Sequence, residues 1–303
     1  MRRLVIPVIA LIVLGVPIAS GLVRPETIPD AQLGQRTANV ENGRVMFLAG
    51  GCASCHATPR QEDLTRLGGG RELSSQFGTF RVPNISPHGQ DGIGRWSEAQ
   101  FASAMLKGTS PKGEHYYPAF PYTSYQRMSI GDVRDLFAFI RTLPAAEGRV
   151  PGHDLPFPFN LRAEVGFWKY RYLDGLVFQP DAAKPEQWNR GAYLVEGPGH
   201  CAECHSPRDF MGGIVPEQRV ASGPNPTGEG SVPNITQHPD GLADWSEADI
   251  ETLLESGNTP GFDSVSGDMA LVVKNTGQLS AGDRKAMADY LKTLEPIARS
   301  RRN

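Results

Sequence analysis

Two copies of a five-residue motif constrain the fold of this chain more than any other feature. The sequence Cys-Ala-Ser-Cys-His at Cys52–His56 recurs about 150 residues later as Cys-Ala-Glu-Cys-His at Cys201–His205, and the two copies contain all four cysteines. Other segments recur at nearly the same interval, among them Val-Pro-Asn-Ile at 82–85 and 232–235 and Trp-Ser-Glu-Ala at 96–99 and 245–248. A constant interval predicts two copies of one domain.

Each copy is predicted to be mainly helical. Ser97 and Ser246 are followed three residues later by Gln or Asp, which is the capping-box pattern that begins a helix. Ser129 and Ser280 begin the closing helix of each copy in the same way, and the apolar residues that follow fall at helical spacing. We expect two tandem domains, at 36–145 and 189–297, with Gly- and Pro-rich loops that lack strand alternation.

The segment 146–188 has no counterpart in the other half. It holds five of the 25 prolines and a set of aromatic side chains that includes Phe157, Phe167 and Trp168. Such a segment is too apolar to be a free tether. We expect a linker that packs across both domains or against a partner.

The spacing inside each motif is typical of covalent heme attachment. Two cysteines separated by two residues lie about one helical turn apart, which matches the vinyl groups of heme, and the adjoining His supplies an axial nitrogen to the iron. A zinc ribbon would need four ligands where each motif offers three, a thiol redox pair does not need the His, and cysteines this close rarely form a disulfide. The sequence therefore predicts two covalently bound heme c groups, held by Cys52, Cys55, His56, Cys201, Cys204 and His205.

The second axial ligand of each iron must come from outside the motif. Met269 lies in a predicted loop before the second closing helix, where its sulfur can bind the second iron. The matching position of the first half, near Phe120, holds no methionine. Met128 is our leading candidate there. The alternatives are His115, Met105 and an open or unidentified site.

Several longer segments resemble a known family. They are Tyr-Pro-Ala-Phe-Pro-Tyr at 117–122, Leu-Pro-Phe-Pro-Phe-Asn at 155–160, Asn-Arg-Gly-Ala-Tyr-Leu at 189–194 and Gly-Asp-Met-Ala at 267–270. They are similar to the cytochrome c subunits of membrane-bound quinoprotein alcohol and gluconate dehydrogenases and of related molybdenum hydroxylases. The alcohol dehydrogenase subunits usually carry three hemes, and many members have Met where Phe120 stands.

The resemblance implies a fold and further site residues. Each half would be a class I cytochrome c domain, in which a proline carbonyl accepts the Nδ1 proton of the axial histidine. Pro83 and Pro233, within the repeated Val-Pro-Asn-Ile segments, would play that part for His56 and His205.

The same resemblance implies an electron-transfer protein without a substrate of its own. It would take electrons from a periplasmic dehydrogenase and pass them to a quinone, a cytochrome or an oxidase. The alternative is a diheme cytochrome c peroxidase that reduces hydrogen peroxide, and the missing methionine of the first half is the feature in its favour.

The amino end indicates export. Met1, Arg2 and Arg3 precede an uncharged, almost wholly apolar run at 4–23, so we expect residues 1–25 to be a signal peptide or an N-terminal membrane anchor. The location is then the periplasm, with attachment to the cytoplasmic membrane if the segment is retained. Lys and Arg total 30 against 33 Asp and Glu, which gives no basic field for nucleic acid.

Overall fold

The structure is a computed structural model that describes residues 23–225 and 230–299. Most of the predicted signal peptide or anchor, residues 1–22, lies outside the described residues. Within the described ranges, no helix combines the length and apolar character needed to cross a bilayer.

Within the described residues, the first half contains five α-helices and one β-hairpin, preceded by a short 3-10 helix at Asp30–Gln32. In chain order they are α1 (Val40–Ala49), α2 (Cys52–His56), β1 (Glu72–Ser75), β2 (Gly78–Arg81), α3 (Glu98–Lys107), α4 (Tyr122–Tyr125) and α5 (Ile130–Ile140). The linker contributes α6 (Glu164–Tyr172).

The second half repeats this order of elements. They are α7 (Glu186–Glu196), α8 (Cys201–His205), β3 (Ala221–Pro224), β4 (Ser231–Asn234), α9 (Glu247–Ser256), α10 (Gly267–Thr276) and α11 (Ala281–Leu291). The limits of the two predicted domains stay predictions.

The predicted helix starts are confirmed. Ser97 and Ser246 each accept a hydrogen bond from the backbone N–H three residues ahead. The side-chain oxygens of Gln100 and Asp249 accept in turn from the backbone N–H of Ser97 and Ser246, which completes both capping boxes. Ser129 and Ser280 also accept from the third backbone N–H of the helices they begin.

The expectation of loops without strands is wrong at two places. Strands β1 and β2 form an antiparallel hairpin, and β3 and β4 form another in the corresponding position of the second half. Each strand is only four residues long, so it carries little of the alternation that predicts a strand.

The first and last helices of each half cross at a glycine. Helix α1 packs against α5, and α7 packs against α11. A Cβ atom at Gly43 would lie 2.0 Å from the carbonyl oxygen of Asp135, and one at Gly191 would lie 1.8 Å from that of Ala286. Only glycine allows the two backbones to approach this closely.

One apolar cluster runs through both halves. It includes Met46 and Phe137 of the first half and Leu194 and Met287 of the second, each at most 2% exposed. Because one buried core serves both halves, each half packs part of its apolar surface against the other.

The linker contacts both halves through helix α6. The Lys169 ammonium donates to the carbonyl oxygens of Lys107 (2.8 Å) and Gly108 (2.6 Å) in the first half. In the second half, Trp168 Nε1 donates to the carbonyl oxygen of Met211 at 3.0 Å. Some linker aromatics remain exposed, with Phe157 at 78%, so contact with a partner stays a prediction.

Replacing Gly43 or Gly191 with Ala should lower the free energy of unfolding by at least about 1–3 kcal/mol, since a methyl group at either crossing forces two packed helices apart. Denaturant unfolding measures this loss. Gly282→Ala is the matched control, because a Cβ at that exposed position of α11 meets only ordinary contact, at 3.7 Å from Ser280 Oγ. Equal effects of all three substitutions would contradict the account.

Candidate functional site

The first candidate site is built on α2. Gly51 precedes this helix in the left-handed conformation, with φ of 55°, which lets the chain turn directly from α1 into the motif. Nδ1 of His56 lies 2.9 Å from the carbonyl oxygen of Pro83. A carbonyl oxygen only accepts, so Nδ1 carries the proton and Nε2 keeps its lone pair. Burial lowers the pKa of His56 to about 4, which keeps the imidazole neutral.

The second candidate site repeats this geometry on α8. Nδ1 of His205 lies 2.8 Å from the carbonyl oxygen of Pro233, and burial lowers the pKa of His205. The residue before the helix is His200, which adopts the left-handed conformation with φ of 39° although it is not a glycine. Its Nε2 donates to the carbonyl oxygen of Gly50 at 3.1 Å, a contact with the first half that supports this conformation.

Two buried asparagines hold the proline carbonyls in place, and the sequence alone assigned them no role. Asn84 Oδ1 accepts from the Ser86 N–H at 2.9 Å, and its Nδ2 donates to the Ala146 carbonyl at 2.7 Å. Asn234 makes the same pair of bonds with Thr236 and Ile297, both at 2.8 Å. Each asparagine thus ties the loop behind the imidazole to the chain that follows the closing helix. Their place in both repeated Val-Pro-Asn-Ile segments was the available signal.

The four thiols are unbridged and partly buried. Burial raises the pKa of Cys52 and of Cys201 to about 12, and it also raises that of Cys55. Burial, with the charge of Glu203 next, raises the pKa of Cys204 to about 11. Each motif therefore offers two neutral thiols and a neutral imidazole with an unprotonated nitrogen. This donor set fits a heme c at each motif.

The structure corrects the surroundings of Met269. The sequence predicted a loop here, but Met269 lies in the first turn of α10, where it is half-buried. The segment 268–276 contains no Gly or Pro, so nothing in its sequence interrupts a helix.

The first-half candidates occupy three different surroundings. Met128 is fully buried, two residues before α5. It lies close to Gly197 of the second half, where an added Cβ atom would be 3.7 Å from Met128 Cγ. His115 is buried with its Nε2 donating to the carbonyl oxygen of Val23 at 2.7 Å. Met105 is buried in α3. The second axial ligand in the first half stays a prediction.

Comparison with known proteins agrees with this donor set. The profile of the cytochrome c family matches residues 40–144. The chain is 46% identical over 98% of its length to a diheme cytochrome c-type protein of Cereibacter sphaeroides, and it covers 100% of that protein.

Other relatives are longer than the chain. It is 34% identical to the fructose dehydrogenase cytochrome subunit of Gluconobacter japonicus, over 86% of its own length and 54% of that protein. It is also 34% identical to the cytochrome c subunit of the quinone-dependent alcohol dehydrogenase of Gluconacetobacter polyoxogenes, over 91% of its own length and 59% of that protein.

The chain therefore belongs to the cytochrome c family, whose members bind heme c. The predicted resemblance to cytochrome c subunits of dehydrogenases is confirmed.

Asn234→Ala should lower the free energy of unfolding by about 1–3 kcal/mol, because the Thr236 N–H and the Ile297 carbonyl each lose a buried partner. Chemical denaturation measures the loss. Asn258→Ala is the control, since Asn258 is exposed. A loss no greater than that of the control would show that Asn234 does not hold the loop.

Proposed function

We propose that this chain is a periplasmic diheme cytochrome c that carries electrons from a dehydrogenase partner to the respiratory chain. The observation that carries the proposal is the duplicated arrangement of paired thiols beside an imidazole whose Nδ1 donates to a proline carbonyl, at 2.9 Å for His56 and 2.8 Å for His205. Each half is then a class I cytochrome c domain, in tandem with the other.

The chain's own residues would hold and orient the two hemes. Cys52, Cys55, Cys201 and Cys204 would form the thioether bonds, and His56 and His205 would each supply an imidazole nitrogen to the iron. Met269 is the proposed second ligand of the second heme, and Met128 that of the first. Heme c, when bound, supplies an iron that takes up and releases one electron. Pro83 and Pro233 fix the tautomer of each imidazole, which leaves Nε2 free for the metal.

The relatives support a dehydrogenase as the electron donor. Several are cytochrome subunits of fructose, alcohol or gluconate dehydrogenases. An electron carrier needs no pocket for the organic substrate, so the partner would bind and oxidise it. We propose a quinone, a cytochrome or an oxidase as the acceptor.

The proposed location follows from the amino end. Heme c attached through cysteines suits an exported protein, and the two arginines and apolar run at 2–23 are the export signal we infer. The segment either is removed or anchors the protein to the cytoplasmic membrane.

The exported protein should exceed its polypeptide mass by two hemes, and Cys201→Ala/Cys204→Ala should retain one, because only α8 loses its thiols. Intact mass and the absorbance of the reduced pyridine complex measure heme per chain. The corresponding change at Cys52 and Cys55 is the matched control and should also leave one. A wild-type protein without heme absorption would contradict the proposal.

The reduced protein should not turn over hydrogen peroxide, because an iron bound on both sides by protein ligands has no free position for peroxide. Stopped-flow absorbance of the reduced hemes after mixing with peroxide measures this. The expected result is oxidation no faster than that of a monoheme carrier with His/Met ligation. Rapid catalytic oxidation would favour the diheme peroxidase instead.

A further inference from the structure

The third residue of the first motif contacts the second half. Ser54 Oγ donates to the carbonyl oxygen of Leu271 at 3.1 Å and accepts from Asn275 Nδ2 at 2.9 Å. Asn275, only 4% exposed, also donates to the Leu271 carbonyl at 2.7 Å. Leu271 and Asn275 both belong to α10, the helix that carries Met269. The motif of the first half is thus bonded to the ligand-bearing helix of the second.

An arginine of the first half strengthens this connection. Arg71 donates from one terminal nitrogen to the Ser54 carbonyl at 2.8 Å and from the other to Asp268 Oδ1 at 2.6 Å. Asp268 is the residue directly before Met269. The guanidinium therefore joins the backbone of the first motif to the first turn of α10, through a charge-assisted bond.

The second motif reaches across in the opposite direction. Glu203 Oε1 accepts from the hydroxyls of Thr123 and Ser124, both at 2.8 Å, and these residues belong to α4 of the first half. Arg208 donates to the Glu203 carbonyl at 2.5 Å and to its carboxylate at 2.7 Å. Each motif therefore combines an arginine, a carboxylate and the backbone of its third residue, and each is bonded to the other half. We call the bonds that join the two halves here the crossed contacts: those of Ser54 and Arg71 to α10, and those of Thr123 and Ser124 to Glu203.

The start of α10 is held in both halves. In its own half, the Val265 N–H, two residues before the helix, donates to the Gly257 carbonyl at 2.9 Å, while Ser266 at the N-cap makes no side-chain cap bond. The bond from Thr276 Oγ1 to the Leu254 carbonyl holds the far end of the helix to the second half. The end that carries Met269 is joined to the first half by Arg71, through Asp268.

We infer that Ser54, Arg71 and Asp268 are positioning residues that keep Met269 at the second heme, so that axial ligation in one half depends on the attachment motif of the other. This inference rests on the proposed function, in which Met269 is that ligand. Loosening the first turn of α10 then weakens the sulfur–iron bond and lowers the reduction potential of the second heme, because methionine ligation raises it.

The test uses the full heme-loaded protein with Asp268→Ala, Ser54→Ala and the double substitution. The readouts are the far-red methionine-to-iron charge-transfer band and a potentiometric titration followed at that band. Met269→Leu identifies the part of the band that belongs to the second heme. Glu72→Ala is the matched control, since it removes an ion pair with Arg81, 2.8 Å long, that lies wholly within the first half.

In both single variants, we expect the band of the second heme to be weaker or to be lost at a lower temperature than in wild type. The reduction potential of the second heme should also fall. Both effects should be largest in the double variant. Heme content should stay at two per chain, and the Glu72→Ala protein should match wild type. Unchanged band and potential in the double variant would overturn the inference while the proposed function stands. A band untouched by Met269→Leu would overturn the ligand assignment and this inference with it, whereas failure of heme attachment itself would overturn the proposed function.

Discussion

The hydrogen bond from each imidazole to a proline carbonyl is the interaction on which the candidate sites depend. A five-residue helix can bring two thiols and a histidine to one place, but the ring still rotates unless its second nitrogen is bound. The proline carbonyls at 2.9 and 2.8 Å supply that bond, and they define which nitrogen remains free. Asn84 and Asn234 hold these carbonyls through buried hydrogen bonds to the chain beyond each closing helix. The site thus depends on the packing of the whole half.

Neither half is self-contained. The buried core includes residues of both halves, and the crossed contacts join each motif to a helix of the other half. The linker adds a third connection, since Lys169 and Trp168 on one short helix bind opposite halves. The two copies of the repeat therefore differ in their contacts. Ser54 and Glu203 occupy the same place in their motifs, yet one makes neutral bonds and the other places a carboxylate across the interface.

Local features of the fold could be predicted from the sequence. The capping boxes at Ser97 and Ser246 depend on residues three apart, and the structure contains both. The spacing of each motif likewise indicates heme chemistry without any tertiary information. The hairpins escaped prediction because four-residue strands carry too short a pattern to distinguish them from loops.

The crossed contacts could not be predicted for a different reason. Ser54 and Leu271 lie 217 positions apart, and only the packing of the halves brings them together. The same packing places Arg71, which belongs to no motif of the sequence, beside both the first attachment site and Asp268.

Diffraction at the iron absorption edge from crystals of the purified protein tests the central claim most directly. The account predicts two anomalous peaks per chain, one at bonding distance from Nε2 of His56 and one at bonding distance from Nε2 of His205. Iron bound elsewhere, a single peak, or a disulfide within either motif would contradict it.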